Sequence, residues 1–412
     1  MASDREFATA REDARPPIRG CSGASLLVSR RTNRFILNLA AGWVAVLRVI
    51  PVVAITFAER VLSSVRVERS ITIAGGGLAG LTLGILLRQE NVRVEIQDAG
   101  TYPRHRVCGE CFSGRGLEIL KGLGLEKFPE PLGQAAGSLR FFTAGRSTRS
   151  FNLPHPALSV DRSALDSLLA DEFRKRGGIL RENFRWTECF AQPGVVRATG
   201  RRLDRNGTSG EHRYIGLKVH ARNLPLSADV ELHFSPEGYV GLSRLRDGTV
   251  NICGLFRKID TLPAASFRDR SSFARVLSGE VREGIASAVF DKDSFSAVAG
   301  ISLEREHNLH AKECRIGDSL CMIPPLTGNG MSLAVESAAV AAPTLRDYAR
   351  GTLEWEAALG KISQNCEKAF GGRMRVAAIL QRAVFSARGR LFLLSLLRTA
   401  PRMLNLWFHA TR

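Results

Sequence analysis

One segment of the chain reads Ile71-Thr72-Ile73-Ala74-Gly75-Gly76-Gly77-Leu78-Ala79-Gly80. An apolar β-run enters three glycines, and a helix-like segment leaves them. A second predicted strand follows, Val92-Arg93-Val94-Glu95-Ile96, and the acid Asp98 comes directly after it. This order of strand, glycine turn, helix, strand and acid is the fingerprint of a βαβ unit that binds a dinucleotide.

The residues of this fingerprint have separate physical roles. Gly75 permits the tight turn, Gly77 lets the backbone approach a pyrophosphate, and Gly80 lets the helix pack closely on the strand. The first helical turn, which includes Ala79, offers N–H groups and a partial positive charge to the phosphates. Asp98 is expected to accept hydrogen bonds from a ribose diol.

Length and charge restrict the class of protein. A chain of 412 residues is long enough for two packed domains, or for one large domain with insertions. Its formal charge is +18, but the excess is mostly arginine spread along the chain, without the aromatic-studded basic motif of a nucleic-acid reader. We therefore expect no nucleic-acid partner. The eight cysteines lack the spacing of a disulfide scaffold, which indicates free thiols and a cytoplasmic location.

Residues 1–68 precede the fingerprint and are expected to form a separate N-terminal extension. The extension is rich in arginine and then apolar from Phe35 to Ala58, but Arg48 inside the apolar part costs about 3 kcal/mol in a membrane. A disordered tail or an over-extended gene start is therefore preferred. A membrane anchor comes second, and an export signal at Ser29-Arg30-Arg31 comes last.

The rest of the chain changes character twice. From Ser70 to about Arg185 strands and helices alternate, with Asp161 as a candidate N-cap. Three alternating runs separated by turn signals follow at Val230–Phe234, Tyr239–Leu245 and Thr249–Leu255, before the α/β pattern returns. These patterns predict an α/β fold with a dinucleotide-binding domain at 69–190 and 290–365, interrupted by an antiparallel substrate-binding sheet at 191–289.

The final segment, residues 366–412, is predicted to form basic helices. From Gly371 onward it contains arginines and no acid, with apolar runs at Leu391–Leu397 and Met403–Phe408. The preferred interpretation is a pair of helices packed on the core. The alternative is a peripheral membrane contact, in which a basic amphipathic helix lies on an anionic surface with Trp407 at the interface.

A second motif occurs late in the chain. A predicted strand ends in Gly317-Asp318, a proline-bearing loop follows, and Gly328-Asn329-Gly330 opens another helix. A third motif, Cys108-Gly109-Glu110, lies between the two, and so does an Asp-Arg-x-x-Leu-Asp helix start that contains Arg162. In this order the motifs resemble the FAD-dependent oxidoreductases of the aromatic-ring hydroxylase and geranylgeranyl-reductase superfamily.

The resemblance implies a fold, a cofactor and roles for particular residues. The fold is a Rossmann-like FAD-binding domain of the glutathione-reductase type. Asp318 would hold the ribityl chain of FAD, and Gly330 and Met331 would face the flavin from a helix N-terminus. Cys108 and Gly109 would lie against the flavin, with Arg162 as the family arginine. NAD(P)H is the electron donor that the resemblance implies.

Two features depart from the family pattern. The middle motif usually ends a strand with Asp-Gly, whereas this chain has Thr199-Gly200. Prenyl reductases carry a Tyr-x-Trp-x-Phe-Pro pattern, whereas this chain has Tyr239-Val240-Gly241-Leu242-Ser243 and therefore lacks the tryptophan. The paired tryptophans and the lysine motif of flavin halogenases are not found either.

The sequence therefore predicts an FAD-dependent oxidoreductase, with a monooxygenase acting on an apolar or aromatic small molecule as the leading hypothesis. The alternatives are a flavin-dependent reductase of isoprenoid double bonds and a non-catalytic flavin-binding protein. His233 and Tyr239 are the candidate substrate contacts. We assign no catalytic acid or base and no metal ligands, because the cofactor carries the reaction in this family. A redox dithiol of Cys108 and Cys111 is a minor alternative.

Overall fold

The computed structural model describes residues 68–125, 128–143, 145–200, 214–257, 271–301, 303 and 312–411. Apart from Glu68, the predicted N-terminal extension lies outside these residues. The strands form a five-stranded sheet A and a nine-stranded sheet B. Sheet A contains β1 (Ile71–Ala74), β2 (Val94–Gln97), β7 (Ile179–Arg181), β8 (Val195–Arg197) and β14 (Cys314–Arg315). Sheet B contains β3 (Cys111–Phe112), β4 (Gly133–Thr143), β5 (Arg146–Ser147), β6 (Phe151–Val160), β9 (Tyr214–Arg222), β10 (Val230–Phe234), β11 (Gly238–Arg244), β12 (Val250–Arg257) and β13 (Val289–Ile301).

The described part of the chain contains nine α-helices. They are α1 (Leu78–Gln89), α2 (Arg115–Lys121), α3 (Arg162–Lys175), α4 (Ser271–Ala274), α5 (Glu280–Gly284), α6 (Gly330–Ala349), α7 (Trp355–Phe385), α8 (Ala387–Thr399) and α9 (Arg402–Ala410). Two single turns of 3₁₀ helix lie at Gly317–Ser319 and Pro325–Thr327. None of the helices in the described part of the chain combines the length and the apolar character needed to cross a membrane.

Sheet A is the predicted dinucleotide-binding sheet. Its five strands are parallel and run in the order β14-β8-β1-β2-β7. Helix α1 packs closely against it because Gly84 carries no side chain: a Cβ there would lie 2.8 Å from Ile96 and from Phe173. The predicted N-cap Asp161 is also present, since its carboxylate accepts a hydrogen bond from the Ser163 backbone N–H at 2.7 Å.

Sheet B contains the three predicted antiparallel runs as β10, β11 and β12. The sheet does not follow the predicted domain boundaries, however. Strands β3 to β6 come from residues 69–190 and still belong to sheet B, whereas β8 lies within 191–289 and pairs with β1 in sheet A. Periodicity identifies a strand and its hairpin partner, but it does not show which sheet receives a strand whose partner lies far along the chain.

The C-terminal segment is helical and packs on the core, as the preferred interpretation predicted. Leu394 and Leu397 of α8, with Leu404 of α9, are buried in a cluster with Leu139 and Phe141 of β4. These contacts place α8 and α9 against one face of sheet B. The buried sides of the two helices therefore help to enclose a cavity on that face of the sheet.

Candidate functional site

A cavity of about 750 Å³ lies at the junction of the two sheets and the C-terminal helices. This volume is within the range of ordinary ligand-binding sites. Ten of the eleven predicted cofactor residues line it, namely Gly75, Gly77, Ala79, Asp98, Cys108, Gly109, Arg162, Asp318, Gly330 and Met331. Gly80 lies behind this wall, where a Cβ would overlap the carbonyl oxygen of Gly75. The structure thus brings residues that are far apart in sequence to a single site.

The glycine loop forms one end of the cavity. Gly75 has a φ of 112°, and a Cβ there would overlap the carbonyl of Ala198, so only glycine fits. The nearest atom to a Cβ at Gly77 would instead be 3.9 Å away, on Arg162. Helix α1 begins directly after Gly77, and no side chain caps it. The first N–H groups of α1 are therefore accessible from the cavity, which is the arrangement that binds a phosphate.

Asp98 is in the predicted position, but its carboxylate is already engaged. It accepts hydrogen bonds from the backbone N–H groups of Gly76 at 2.6 Å and Gly100 at 2.8 Å, and it forms a two-pronged ion pair with Arg104. Burial by itself raises the pKa of Asp98, but the hydrogen bonds and charges of Arg104 leave it below its ordinary value. A ribose diol would have to share or displace the contact with Arg104 in order to reach this carboxylate.

Three arginines surround this end of the cavity. Arg104 pairs with Asp98, Arg162 pairs with the buried Asp166 at 2.7 Å, and Arg106 lies between the two carboxylates at 3.7 and 3.9 Å. Burial and the neighbouring Arg104 lower the pKa of Arg106, and its Nε makes no hydrogen bond. Three guanidinium groups thus face two carboxylates, which leaves a positive charge where a pyrophosphate would be bound. Arg162 was anticipated from sequence, whereas Arg104 and Arg106 were not.

The second end of the cavity is the N-terminus of the 20-residue helix α6. Asn329 precedes it, but its side chain does not cap the helix and instead donates to the backbone carbonyl of Thr411. A Cβ at Gly330 would meet no atom within 4 Å. Gly330 and Met331 therefore present helix N–H groups to the cavity, and Asp318 stands beside them on the preceding 3₁₀ turn.

The Cys108-Gly109-Glu110 segment crosses the cavity between these two ends. Glu110 has a φ of 51°, a conformation that costs about 1 kcal/mol or more for a residue other than glycine. Its buried carboxylate lies 3.2 Å from the Lys218 ammonium and 2.7 Å from His220 Nε2, both on β9. These contacts hold the segment against sheet B. Cys108 and Cys111 form no disulfide with each other.

Sequence reasoning missed the Lys218 and His220 pair. The available signal was a lysine and a histidine at alternate positions of an otherwise largely apolar strand, because such side chains need partners when they are buried. His105, Glu110 and His220 are close enough for their ligand atoms to hold a metal ion. However, the Lys218 ammonium lies 3.0 Å from His105 Nδ1 and already supplies the positive charge. Burial and that ammonium lower the pKa of His105.

The two candidate substrate residues have different surroundings. Tyr239 is buried in the cavity wall and its hydroxyl donates to Gln381 Oε1 at 3.4 Å. Burial raises the pKa of Tyr239 well above its ordinary value. His233 lies on the other face of β10, stacked on Phe142 and 3.0 Å from the Glu231 carboxylate. The cavity-facing residues of β10 are Val230, Leu232 and Phe234, which strand alternation predicts once the register is known.

The remaining wall of the cavity is apolar. It combines Phe141 and Leu232 of sheet B with Leu397, Leu404 and Trp407 of the C-terminal helices. Trp407 is half-buried in this wall, whereas the membrane alternative had placed it at an outer interface. Thr199 and Gly200 also reach the cavity, beside the glycine loop, although threonine stands where the family has aspartate.

Comparison with known structures identifies the fold. No model of a known protein family matches the sequence, and no curated protein matches it either. The flavin-dependent brominase Bmp2 aligns over 83% of this chain and 92% of its own, at 17% identity and a TM-score of 0.65. PqsL of Pseudomonas aeruginosa, described as a probable FAD-dependent monooxygenase, aligns over 79% and 98%, at 17% identity and a TM-score of 0.62. The halogenase PltM aligns over 83% of each chain, at 17% identity and a TM-score of 0.60.

The chain has the fold of these flavin-dependent enzymes. This agreement confirms, for the fold, the resemblance that the sequence motifs indicated. At these identities the comparison concerns architecture alone, so the chemistry has to be argued from the residues of the cavity.

Proposed function

We propose that the protein is an FAD-dependent oxidoreductase that acts as an NAD(P)H-driven monooxygenase on an apolar or aromatic small molecule. The observation that carries the proposal is the convergence of two uncapped helix N-termini, those of α1 and α6, on one cavity with an apolar wall. A single extended ligand with a phosphate-bearing end and an electron-accepting ring would use both.

The residues present fit FAD. The open approach at Gly77 and the excess positive charge of Arg104, Arg106 and Arg162 suit its pyrophosphate. The N-terminus of α6 suits the pyrimidine edge of a flavin, because its partial positive charge favours the anionic reduced form. When bound, FAD supplies hydride transfer and oxygen activation.

The protein's own side chains would position the substrate and exclude water. The apolar wall from sheet B, α8 and α9 offers contact area to a hydrophobic body. Tyr239 contributes a hydroxyl to that wall. This hydroxyl already donates its hydrogen bond to Gln381, so we assign it a positioning role and no proton transfer. NAD(P)H would have to reach the flavin through the same cavity, because the sequence contains no second dinucleotide fingerprint.

The first experiment is the visible absorption spectrum of the purified protein, before and after addition of FAD. We expect the natural protein to show an oxidised-flavin spectrum. Asp318→Ala should lower the affinity for FAD by roughly tenfold or more, because the variant loses a charge-assisted contact. Asp347→Ala, near the C-terminal end of α6 and away from the cavity, is the matched control. A protein that takes up no flavin would refute the proposal.

The monooxygenase and reductase hypotheses differ in their need for oxygen. A monooxygenase couples NAD(P)H oxidation to oxygen uptake and a hydroxylated product. Rapid anaerobic reoxidation of the reduced flavin by substrate, with a saturated product, would favour the isoprenoid reductase instead. Bound FAD that no nicotinamide reduces would favour the non-catalytic alternative.

A peripheral membrane contact is also proposed, on the exposed side of the C-terminal helices. We call this the outer C-terminal face, formed by Arg388, Leu391, Phe392, Arg402 and Leu406. Three large apolar side chains of this face are exposed, namely Leu391 by 48%, Phe392 by 65% and Leu406 by 61%. With arginines beside them and no acid after Gly371, this face suits an anionic lipid surface.

A further inference from the structure

The apolar wall of the cavity contains one buried charge. Arg390 is 8% exposed and lines the cavity from α8. It shares a helical face with Leu394 and Leu397, at positions i, i+4 and i+7, so the cationic group stands at one end of an apolar stripe. A substrate lying along this stripe would meet hydrocarbon first and a guanidinium at its end.

A second arginine, Arg257, lies near Arg390 but does not itself line the cavity. The guanidinium of Arg257, on β12, is 4.6 Å from the ring of Phe385 and donates weakly to the carbonyl of the same residue at 3.4 Å. Its Nε is buried without a hydrogen-bond partner. Arg390 donates to the carbonyl of Val384 at 3.0 Å, in the last turn of α7. Both cations therefore gather at one helix C-terminus.

The helix end does not balance these charges. A helix C-terminus carries about half a negative charge, whereas two guanidinium groups carry two positive ones. Among the described residues, no carboxylate comes within ion-pair distance of Arg257 or Arg390. Burial and the charge of Arg257 lower the pKa of Arg390, which is the sign expected where like charges meet without an anion. A buried cation of this kind is costly unless something else pairs with it.

We propose that Arg390, with the charge of Arg257 behind it, forms an anion-binding subsite for an amphipathic substrate, whose carboxylate or phosphate end pairs with Arg390 and whose apolar body lies along α8. This inference rests on the proposed function, since it names the class of substrate for the same cavity. The apolar body would contact Leu394 and Leu397 on one side, with Leu232 of β10 opposite. Guanidinium groups are suited to both anions because their N–H groups pair with two oxygens at once.

The test is ligand binding to the FAD-loaded full chain, measured by calorimetry below the micelle concentration. The probes are decanoate, decyl phosphate and the neutral decanol, which share one apolar body. We expect either or both anions to bind roughly ten to a hundred times more tightly than decanol, as one or two charge-assisted hydrogen bonds would give. The preferred anion identifies whether the natural end group is a carboxylate or a phosphate.

Variants assign the preference to this subsite. Arg390→Gln should abolish the preference for the anion and leave the affinity for decanol unchanged. Arg382→Gln removes an exposed arginine of α7 and should leave both affinities unchanged. If Arg390→Gln does not fold, Arg257→Gln and Arg390→Lys replace it. The first should weaken anion binding, and the second should retain part of it.

Equal affinity for decanol and both anions in a flavin-loaded protein would overturn the inference, and so would a preference that survives in Arg390→Gln and in Arg257→Gln. Either result would leave the proposed function intact, because the flavin spectrum is recorded on the same samples. A protein that binds the anions but no flavin would instead contradict the proposed function.

Discussion

Asn329, the residue before α6, donates a side-chain hydrogen bond to the backbone carbonyl of Thr411, 82 residues further along the chain. The bond is buried and joins the loop at the candidate flavin site to the end of α9. It also keeps the amide away from the N-terminus of α6, where asparagine would otherwise be a favourable cap. One contact thus holds the C-terminal helix in place and leaves the helix end open.

Replacing Asn329 with aspartate should remove the hydrogen bond to Thr411 and block the N-terminus of α6. A carboxylate cannot donate to Thr411, and a negative charge at the start of α6 would occupy the N–H groups that are proposed to face the flavin. We expect FAD affinity to fall roughly tenfold or more, measured by fluorescence titration. Asn405→Asp, at an exposed position of α9, is the control. Unchanged FAD affinity in Asn329→Asp would mean that the cofactor does not use this helix end.

Acid should remove the stability that Asp98 provides. Its pKa is lowered in the folded protein, so its contribution is present above the unfolded value of about 4 and is lost as the pH falls through the lower folded value. We expect Asp98→Asn to cost about 3 kcal/mol in the free energy of unfolding at pH 7, since it leaves Arg104 in a partly buried site without its anion.

Urea unfolding at pH 7 and at pH 3 would measure this effect. The difference in the free energy of unfolding between Asp98→Asn and the natural protein should be smaller at pH 3, because the carboxylate of the natural protein is then partly protonated. Asp171→Asn, in an exposed ion pair with Arg174, should change stability by less than about 1 kcal/mol at both pH values. A difference for Asp98→Asn that does not depend on pH would show that charge is not the cause.

The ion pair of Lys218 and Glu110 should behave as a unit. Lys218→Met leaves a buried carboxylate without its ammonium and should cost about 3–5 kcal/mol in the free energy of unfolding, and Glu110→Gln should cost a similar amount. The double variant should cost less than the sum of the two, because no isolated charge remains. Strict additivity in a double-mutant cycle would mean that the two groups do not interact.

Vesicle binding would test the outer C-terminal face. Sedimentation with phosphatidylcholine vesicles that contain phosphatidylglycerol should recover the protein, while vesicles of phosphatidylcholine alone should not, and salt should weaken the binding. Phe392→Ser combined with Leu406→Ser should reduce it at least several-fold. Phe184→Ser, at an exposed aromatic residue elsewhere, should leave it unchanged. Equal recovery with neutral and anionic vesicles would exclude the proposed contact.

The sequence predicted the parts of this molecule whose signal is local. The turn at Gly75 requires a positive φ and no side chain, and the loop before α6 is marked by its glycines, so both ends of the cavity could be located in advance. The cap at Asp161 is equally local, because a helix N-cap bonds to the N–H two residues ahead.

The parts that escaped prediction depend on partners far away in the chain. Glu110 meets Lys218 and His220 only because β9 is folded under the Cys-Gly-Glu segment. His233 was chosen as a polar residue beside the substrate, but its direction depends on which face of β10 meets the cavity, and that follows from the pairing of the whole sheet. The charge of Arg390 gave no signal in a segment already rich in arginine.

The parallel pairing of β10 with β4 has a consequence for folding. Val230 lies opposite Leu139, and the chain between them includes the helix α3 and contributes β7 and β8 to sheet A. Strands β4 and β10 can therefore pair only when a long intervening segment of chain forms a loop. Because loop closure costs entropy, we expect this pairing to form slowly and late in folding. Neither layer can be excised as an independent piece, since cutting out residues 191–289 would strip one edge of β4 and remove the strand β8 from sheet A. A shortened version of the protein therefore has to retain both complete sheets. A version that lacks part of one sheet should aggregate through its exposed strand edge.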